Sequence, residues 1–156
     1  MDRSDARILL ALVEDPRSTV VSLAERLTLS RNTVQARLTR LWDGGALSSL
    51  EQSINPASIG YPMTAFVLIT VVQRQLDRVA ANLELIPEVL EVLGISGSVD
   101  MMARVVAKDA NDLYRIAGCI LAVDGVERTE TALVMREMVE YRIAPLLRRI
   151  AEPSSN

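Results

Sequence analysis

The chain has no histidine, a single cysteine and five aromatic residues among 156: Trp42, Phe66, Tyr61, Tyr114 and Tyr141. Each scarcity removes a class of chemistry. Without histidine the commonest general acid–base is missing, and zinc sites or cysteine–histidine catalysis lose their partners. One cysteine cannot close an intrachain disulfide, and Cys119, inside the apolar stretch from Ile116 to Val123, is expected to be a small core residue. No run approaches the roughly 20 apolar residues that span a bilayer, and Met1-Asp2-Arg3-Ser4-Asp5 lacks the basic start and apolar stretch of a secretory signal. A soluble, cytoplasmic protein with no membrane partner is therefore expected.

The chain has 49% hydrophobic residues, and 17 basic stand against 20 acidic ones, so there is ample aliphatic material for a core but no global basic character. Any surface for nucleic acid must be local. Arg26, Arg31, Arg37 and Arg40 against Asp43 alone give residues 26–43 a net +3, whereas residues 61–156 carry ten basic and thirteen acidic groups.

The first 45 residues read as three short helices. Asp2 suits an N-cap with Asp5 in the first turn, and Ile8, Leu9, Leu12 and Val13 make an apolar stripe that ends before Asp15-Pro16. Thr19 caps a second helix carrying Leu23, Ala24 and Leu27, and Ser30 caps a third. The few residues between the second and third force a sharp crossing, as in a helix-turn-helix. In the third helix Val34, Leu38 and Leu41 share one face, leaving Arg31, Asn32, Thr33, Gln35, Arg37 and Arg40 elsewhere without an acid among them. These types read base edges and bind phosphate; the same pattern also fits a solvated basic surface. Gly44-Gly45 ends the helix, Trp42 beside it reads as a packing residue, and Ala46 to Ile54 reads as a small strand or wing.

Asn55 to Pro62 is rich in turn formers and marks a linker. Beyond it the order is strand (63–72), helix (76–86), strand (89–96), strand (101–107), helix (109–121) and a long strand (126–141). The turn Ser96-Gly97-Ser98-Val99 separates the middle pair. That order is the ferredoxin-like βαββαβ arrangement, an antiparallel sheet with helices on one face. The bare face would leave aliphatic residues in water, so pairing into a homodimer is expected, and a two-fold dimer would match a palindromic DNA site. The fold class is thus α+β. Residues 1–54 form a winged helix-turn-helix, 55–62 a linker, 63–150 the βαββαβ domain, with a short helix ahead of Arg148-Arg149, and 151–156 a frayed tail.

Four motifs in this order carry a resemblance to a known family: Asp2-x-x-Asp5-x-x-Ile8-Leu9; Leu23-Ala24-x-Arg26-Leu27-x-Leu29-Ser30 followed by Arg37-x-x-x-Leu41; Asn55-Pro56; and Ile95-Ser96-Gly97-x-x-Asp100. Over roughly residues 2–142 the chain resembles the Lrp/AsnC, or feast-or-famine, transcriptional regulators. The resemblance implies binding of double-stranded DNA, dimerisation through the sheet, assembly to octamers, and an amino-acid effector bound between dimers near the glycine turn. It implies no other cofactor and no metal. Carried onto this sequence, the ligand-facing residues are Gly94, Ser96, Gly97, Ser98, Asp100, Thr129 and Thr131. A glycine turn exposes N–H groups to a carboxylate, and an acidic side chain accepts from an ammonium. The other reading of the turn is a plain hairpin capped by Asp100. Two departures stand out. Ser98 and Val99 replace the acid and aromatic common in the family turn. Thr28 replaces the usual glycine in the helix-turn-helix, where a β-branched residue resists positive φ and an irregular turn is expected.

The leading function is a sequence-specific regulator, not an enzyme, whose assembly or operator affinity responds to a small metabolite. The alternatives are an architectural protein that wraps DNA with little sequence preference, a metabolite-binding module that senses without DNA, and a tetrapyrrole-processing enzyme of the same architecture.

Overall fold

The computed structural model describes residues 1–47 and 50–152. They form two compact units, one of residues 1–52 with 139–156 and one of residues 53–138.

In the first unit, α1 (Arg3–Glu14) begins at Asp2, whose carboxylate accepts from the Asp5 N–H at 2.9 Å while the Asp5 carboxylate accepts from the Asp2 N–H at 2.9 Å. This reciprocal pair satisfies two of the N–H groups that a helix start leaves open. Helix α2 (Val20–Leu27) starts on Thr19, whose hydroxyl accepts from the Ser22 N–H, and α3 (Arg31–Asp43) starts on Ser30, whose hydroxyl accepts from Thr33. Between them Thr28 adopts φ 57° and ψ 47°, and the Leu29 N–H closes onto the Ala24 carbonyl at 2.9 Å. The expected irregularity is absent: the chain makes the tight left-handed turn with threonine in it. That placement costs a β-branched residue about 1–2 kcal/mol relative to glycine.

Three other expectations fail here. In place of a strand or wing over 46–54 there is a short 3-10 turn at Leu50–Ser53; Ser48 and Ser49 lie outside the described residues. Trp42 is 54% exposed rather than packed. The chain's last helix, α6 (Ala144–Ala151), belongs to this first unit and not to the βαββαβ domain, because its apolar face is buried against α1. Leu147 packs with Ile8, Leu9, Leu27 and Leu41 in one cluster. Part of the expected tail, Ala151, is buried in α6, and residues 153–156 lie outside the described residues.

The second unit contains β1 (Met63–Val71), α4 (Leu76–Leu83), β2 (Val89–Gly94), β3 (Met101–Ala107), α5 (Ala110–Leu121) and β4 (Val126–Leu133). The sheet is antiparallel in the order β2-β3-β1-β4. Although the β1 sequence is apolar almost throughout, its strand alternates by period two. Ala65, Val67, Ile69 and Val71 are buried with Val79 and Leu83 of α4 and Ile116 and Ile120 of α5. Phe66 and Leu68 point to the opposite face and are half-buried. Arg104 and Met102 stand beside them on β3, and Ala132 and Glu130 on β4. Just before β4, Gly125 has φ 98°, a conformation that favours glycine, and a Cβ there would displace Gln75 and press on Val79 Cγ2 at 3.0 Å. The strand expected over 126–141 ends at Leu133; the Val134 N–H still donates to the Thr64 carbonyl, and 135–142 is neither helix nor strand. Cys119 is exposed on α5, because the helical period turns Ile116 and Ile120 inward and carries Cys119 outward.

The placement of α6 gives a direct test. Leu147→Ala is expected to destabilise the first unit by about 2–5 kcal/mol, as for other buried leucines, whereas Leu146→Ala, at a position 54% exposed, should cost well under about 1 kcal/mol. Denaturant unfolding followed by Trp42 fluorescence distinguishes the two; equal, small losses would show that α6 does not belong to this core.

Candidate nucleic-acid interface and effector turn

Helix α3 divides its polar residues between two sides. Arg31, Asn32, Gln35, Ala36 and Thr39 fall on one face, exposed and away from the buried Val34 and Leu41. Thr33 is half-buried, and its hydroxyl is hydrogen-bonded to Ser30 Oγ at 2.8 Å. Arg37 follows Val34 by three and precedes Leu41 by four residues, which puts it on the flank of the apolar stripe. A shallow open depression lined by Asn32, Thr33, Ala36, Arg37 and Arg40 runs beside the exposed face. Of the six residues expected to face DNA, three project freely, Arg31, Asn32 and Gln35. Thr33 is tied to the cap, and Arg37 and Arg40 are bound to α1. Thr39 and Ala36, which the residue types alone did not single out, share the outward face by helical period.

The tether of Arg37 and Arg40 is ionic. Arg37 Nη1 donates to both oxygens of Asp2, at 2.8 and 2.6 Å, and to Asp5 Oδ1 at 2.7 Å. Arg40 Nη2 donates to Asp5 at 2.8 and 3.1 Å. Asp5 is buried, 3% exposed, and among the described residues it is the single buried charged side chain. Burial disfavours its ionised form, and this is the largest influence on it. The Asp2 N–H and the two guanidinium groups together outweigh it and hold the Asp5 carboxyl below the usual carboxylate range. The Arg37 guanidinium, followed by the Asp5 N–H, holds Asp2 down to about 2.

At one end of the sheet the segment between β2 and β3 forms the glycine turn. Gly97 has φ 135°, and Gly94, Ser96, Gly97 and Ser98 are all exposed. The N–H groups of Ser96, Gly97, Ser98 and Val99 donate to no other backbone group among the described residues. Asp100 does more than cap a hairpin. Its N–H donates to the Ile69 carbonyl at 3.0 Å, its Oδ2 accepts from the Val71 N–H at 2.9 Å, and its Oδ1 accepts from Gln73 Nε2. Its carboxylate thus fastens the turn to the end of β1 and to Gln73 just beyond it. On β4, Thr129 pairs with Ile69, which also bears the Asp100 bond, while Thr131 lies one rung further on, opposite Val67. Thr129 is half-buried and Thr131 exposed. Among the described residues no group of three or more acidic or cysteine side chains is placed to hold a metal, and no helix is long and apolar enough to cross a membrane.

Comparison with known proteins matches two stretches of the chain: residues 1–41 fit the AsnC-type helix-turn-helix domain and residues 64–144 the Lrp/AsnC ligand binding domain. The HTH-type transcriptional regulator FL11 of Pyrococcus horikoshii is 28% identical over 146 residues, 94% of this chain and 97% of the relative. The structure of E. coli AsnC superposes with a TM-score of 0.83 over 93% of this chain and 99% of that one, a likeness of fold at 24% identity. The feast or famine regulatory protein from M. tuberculosis, solved in complex with L-methionine, is 30% identical with a TM-score of 0.78, covering 90% of this chain and 96% of that one.

The ionic tether fixes the acid sensitivity of the first unit. A carboxyl whose folded pKa lies below its unfolded value contributes stability that is complete above the unfolded value and is lost as pH falls through the folded one. For Asp2 that window runs from 3.8 down to about 2. Unfolding followed by Trp42 fluorescence should become easier across this window in the wild type, and the dependence should be shallower in Asp2→Asn. An unchanged pH dependence in the variant would show that the tether contributes nothing.

Proposed function

Because the chain belongs to the Lrp/AsnC family of transcriptional regulators, we propose that it is a sequence-specific DNA-binding regulator that works as a homodimer and answers to an amino-acid effector. The observation that carries the DNA reading is the outward face of α3. Arg31, Asn32 and Gln35 stand exposed with no side-chain partner among the described residues, on a helix that follows a tight turn. Arginine forks onto guanine, and asparagine and glutamine match adenine, so this face can distinguish base pairs in a major groove. The open sheet face supports the dimer. Leu68 and Met102 lie side by side there with Phe66 in the next rung, half-buried in the single chain, and a second copy would remove their apolar surface from water.

For the effector, the turn from Ser96 to Val99 supports binding of a carboxylate through backbone N–H groups, with Gly94 next to it at the end of β2, while Thr129 and Thr131 stand on β4 at the other edge of the sheet. The related protein of M. tuberculosis was solved with L-methionine. Asp100 serves this site by holding the turn to β1. An effector can move DNA affinity only by binding two states unequally, so its action is a shift in assembly or in operator affinity.

Selection from a pool of random duplexes tests the first half. An enriched motif is expected, and Arg31→Ala should weaken binding to it by about 1–3 kcal/mol, with less effect on random duplex. Recovery of no motif would leave an architectural DNA-wrapping protein as the better reading. Thermal denaturation with each of the standard amino acids tests the second half: a ligand at 100 times its Kd adds about 2.7 kcal/mol of stability. A shift with none of them, methionine included, would remove amino acids as effectors.

A further inference from the structure

We infer that Asp5 determines which part of α3 reads DNA, by holding Arg37 and Arg40 against α1 and so withdrawing two arginines from the phosphate backbone. The inference rests on α3 being the recognition helix. Its basis is the chemistry of a buried anion. The Asp5 side chain is only 4% exposed, and a carboxylate so placed stays ionised only when charged donors complete its shell. It receives two charged donors, Arg37 Nη1 and Arg40 Nη2, and one neutral one, the Asp2 N–H.

Arg37 is bound most firmly. Its side chain is 23% exposed, it bridges Asp2 and Asp5, and its Nε is buried without an acceptor among the described residues, so the whole group is folded inward. Arg40 sits on the rim, 63% exposed, yet both of its contacts at that end go to Asp5. A phosphate would offer these guanidinium groups the same fork-shaped acceptor that Asp5 and Asp2 already supply. Two acids on the first turn of α1 thus act as an internal substitute for DNA phosphate. Nonspecific affinity is held down, and discrimination is left to Arg31, Asn32 and Gln35.

The charge bookkeeping has a measurable form, because each arginine that neutralises a phosphate steepens the dependence of log affinity on log salt by about 0.9. Four proteins would be titrated with a random-sequence duplex and with the enriched duplex over a range of salt: wild type, Asp5→Asn, Arg40→Met and Arg31→Met. Asp5→Asn keeps the shape and removes the charge. It should steepen the salt slope by about 1–2 and lower the ratio of specific to random affinity several-fold as the released arginines reach phosphates. Arg40→Met alters an exposed residue, so it tests the idea even if Asp5→Asn fails to fold; its slope should equal that of the wild type. A slope shallower by about 1 in Arg40→Met would make Arg40 a phosphate contact and overturn the inference, as would a folded Asp5→Asn with unchanged slope and ratio. Arg31→Met separates the two levels. If it leaves binding to both duplexes unchanged, the recognition-helix reading fails, and this inference with it.

Discussion

A carboxylate taken out of water must be met by charge, and Asp5 meets it from a different helix. That requirement ties the first turn of α1 to the middle of α3 through Arg37 and Arg40, which lie three residues apart and so reach the same acceptor from one helical flank. The ionic contact and the buried Val34 and Leu41 together hold the side of α3 that turns Arg31, Asn32 and Gln35 outward. Surface ion pairs commonly contribute little to stability, but here one partner is buried, and loss of the inward Arg37 would leave its charge poorly compensated.

The second unit depends on a strand that looks uniformly apolar and is not used that way. The pleat of β1 sends Ala65, Val67, Ile69 and Val71 into the helix-covered core and Phe66 and Leu68 to the other side. Because the same pleat fixes β3 and β4 by register, the open face carries a mixed row of apolar and charged side chains: Met102, Leu68 and Glu130 in one rung, Arg104, Phe66 and Ala132 in the next. Such a face has apolar material to pair with another sheet and charges to fix the register of that pairing.

The turn from Ser96 to Asp100 joins these themes. Asp100, like Asp5, accepts hydrogen bonds inside the fold, so in both units an acid holds a neighbouring element in place. The two surfaces proposed for DNA and effector are what these acids hold: an exposed helix face in one unit and a loop of open N–H groups in the other.

Much of this was legible in the order of residues, because local rules govern it. Asp2, Thr19 and Ser30 as N-caps, the three helices and the βαββαβ order follow from capping chemistry and from periods of 3.6 and 2, which act within a few residues. The resemblance over four motifs added the family and the region of the turn. Even the inward position of Arg37 is written in its spacing from Val34 and Leu41, although its charge pointed the other way. What the order of residues could not supply is contact across the chain. Only the tertiary structure pairs Asp5 with Arg37 and Arg40, more than thirty positions away, commits Asp100 to Val71 and Gln73, places Leu147 beside Ile8 and Leu9, and lets Thr28 hold a left-handed turn that its own preferences resist. The reason is physical: caps and periods are settled by neighbours in the chain, whereas a buried charge, an apolar helix face and a strained turn are settled by whatever the fold brings against them.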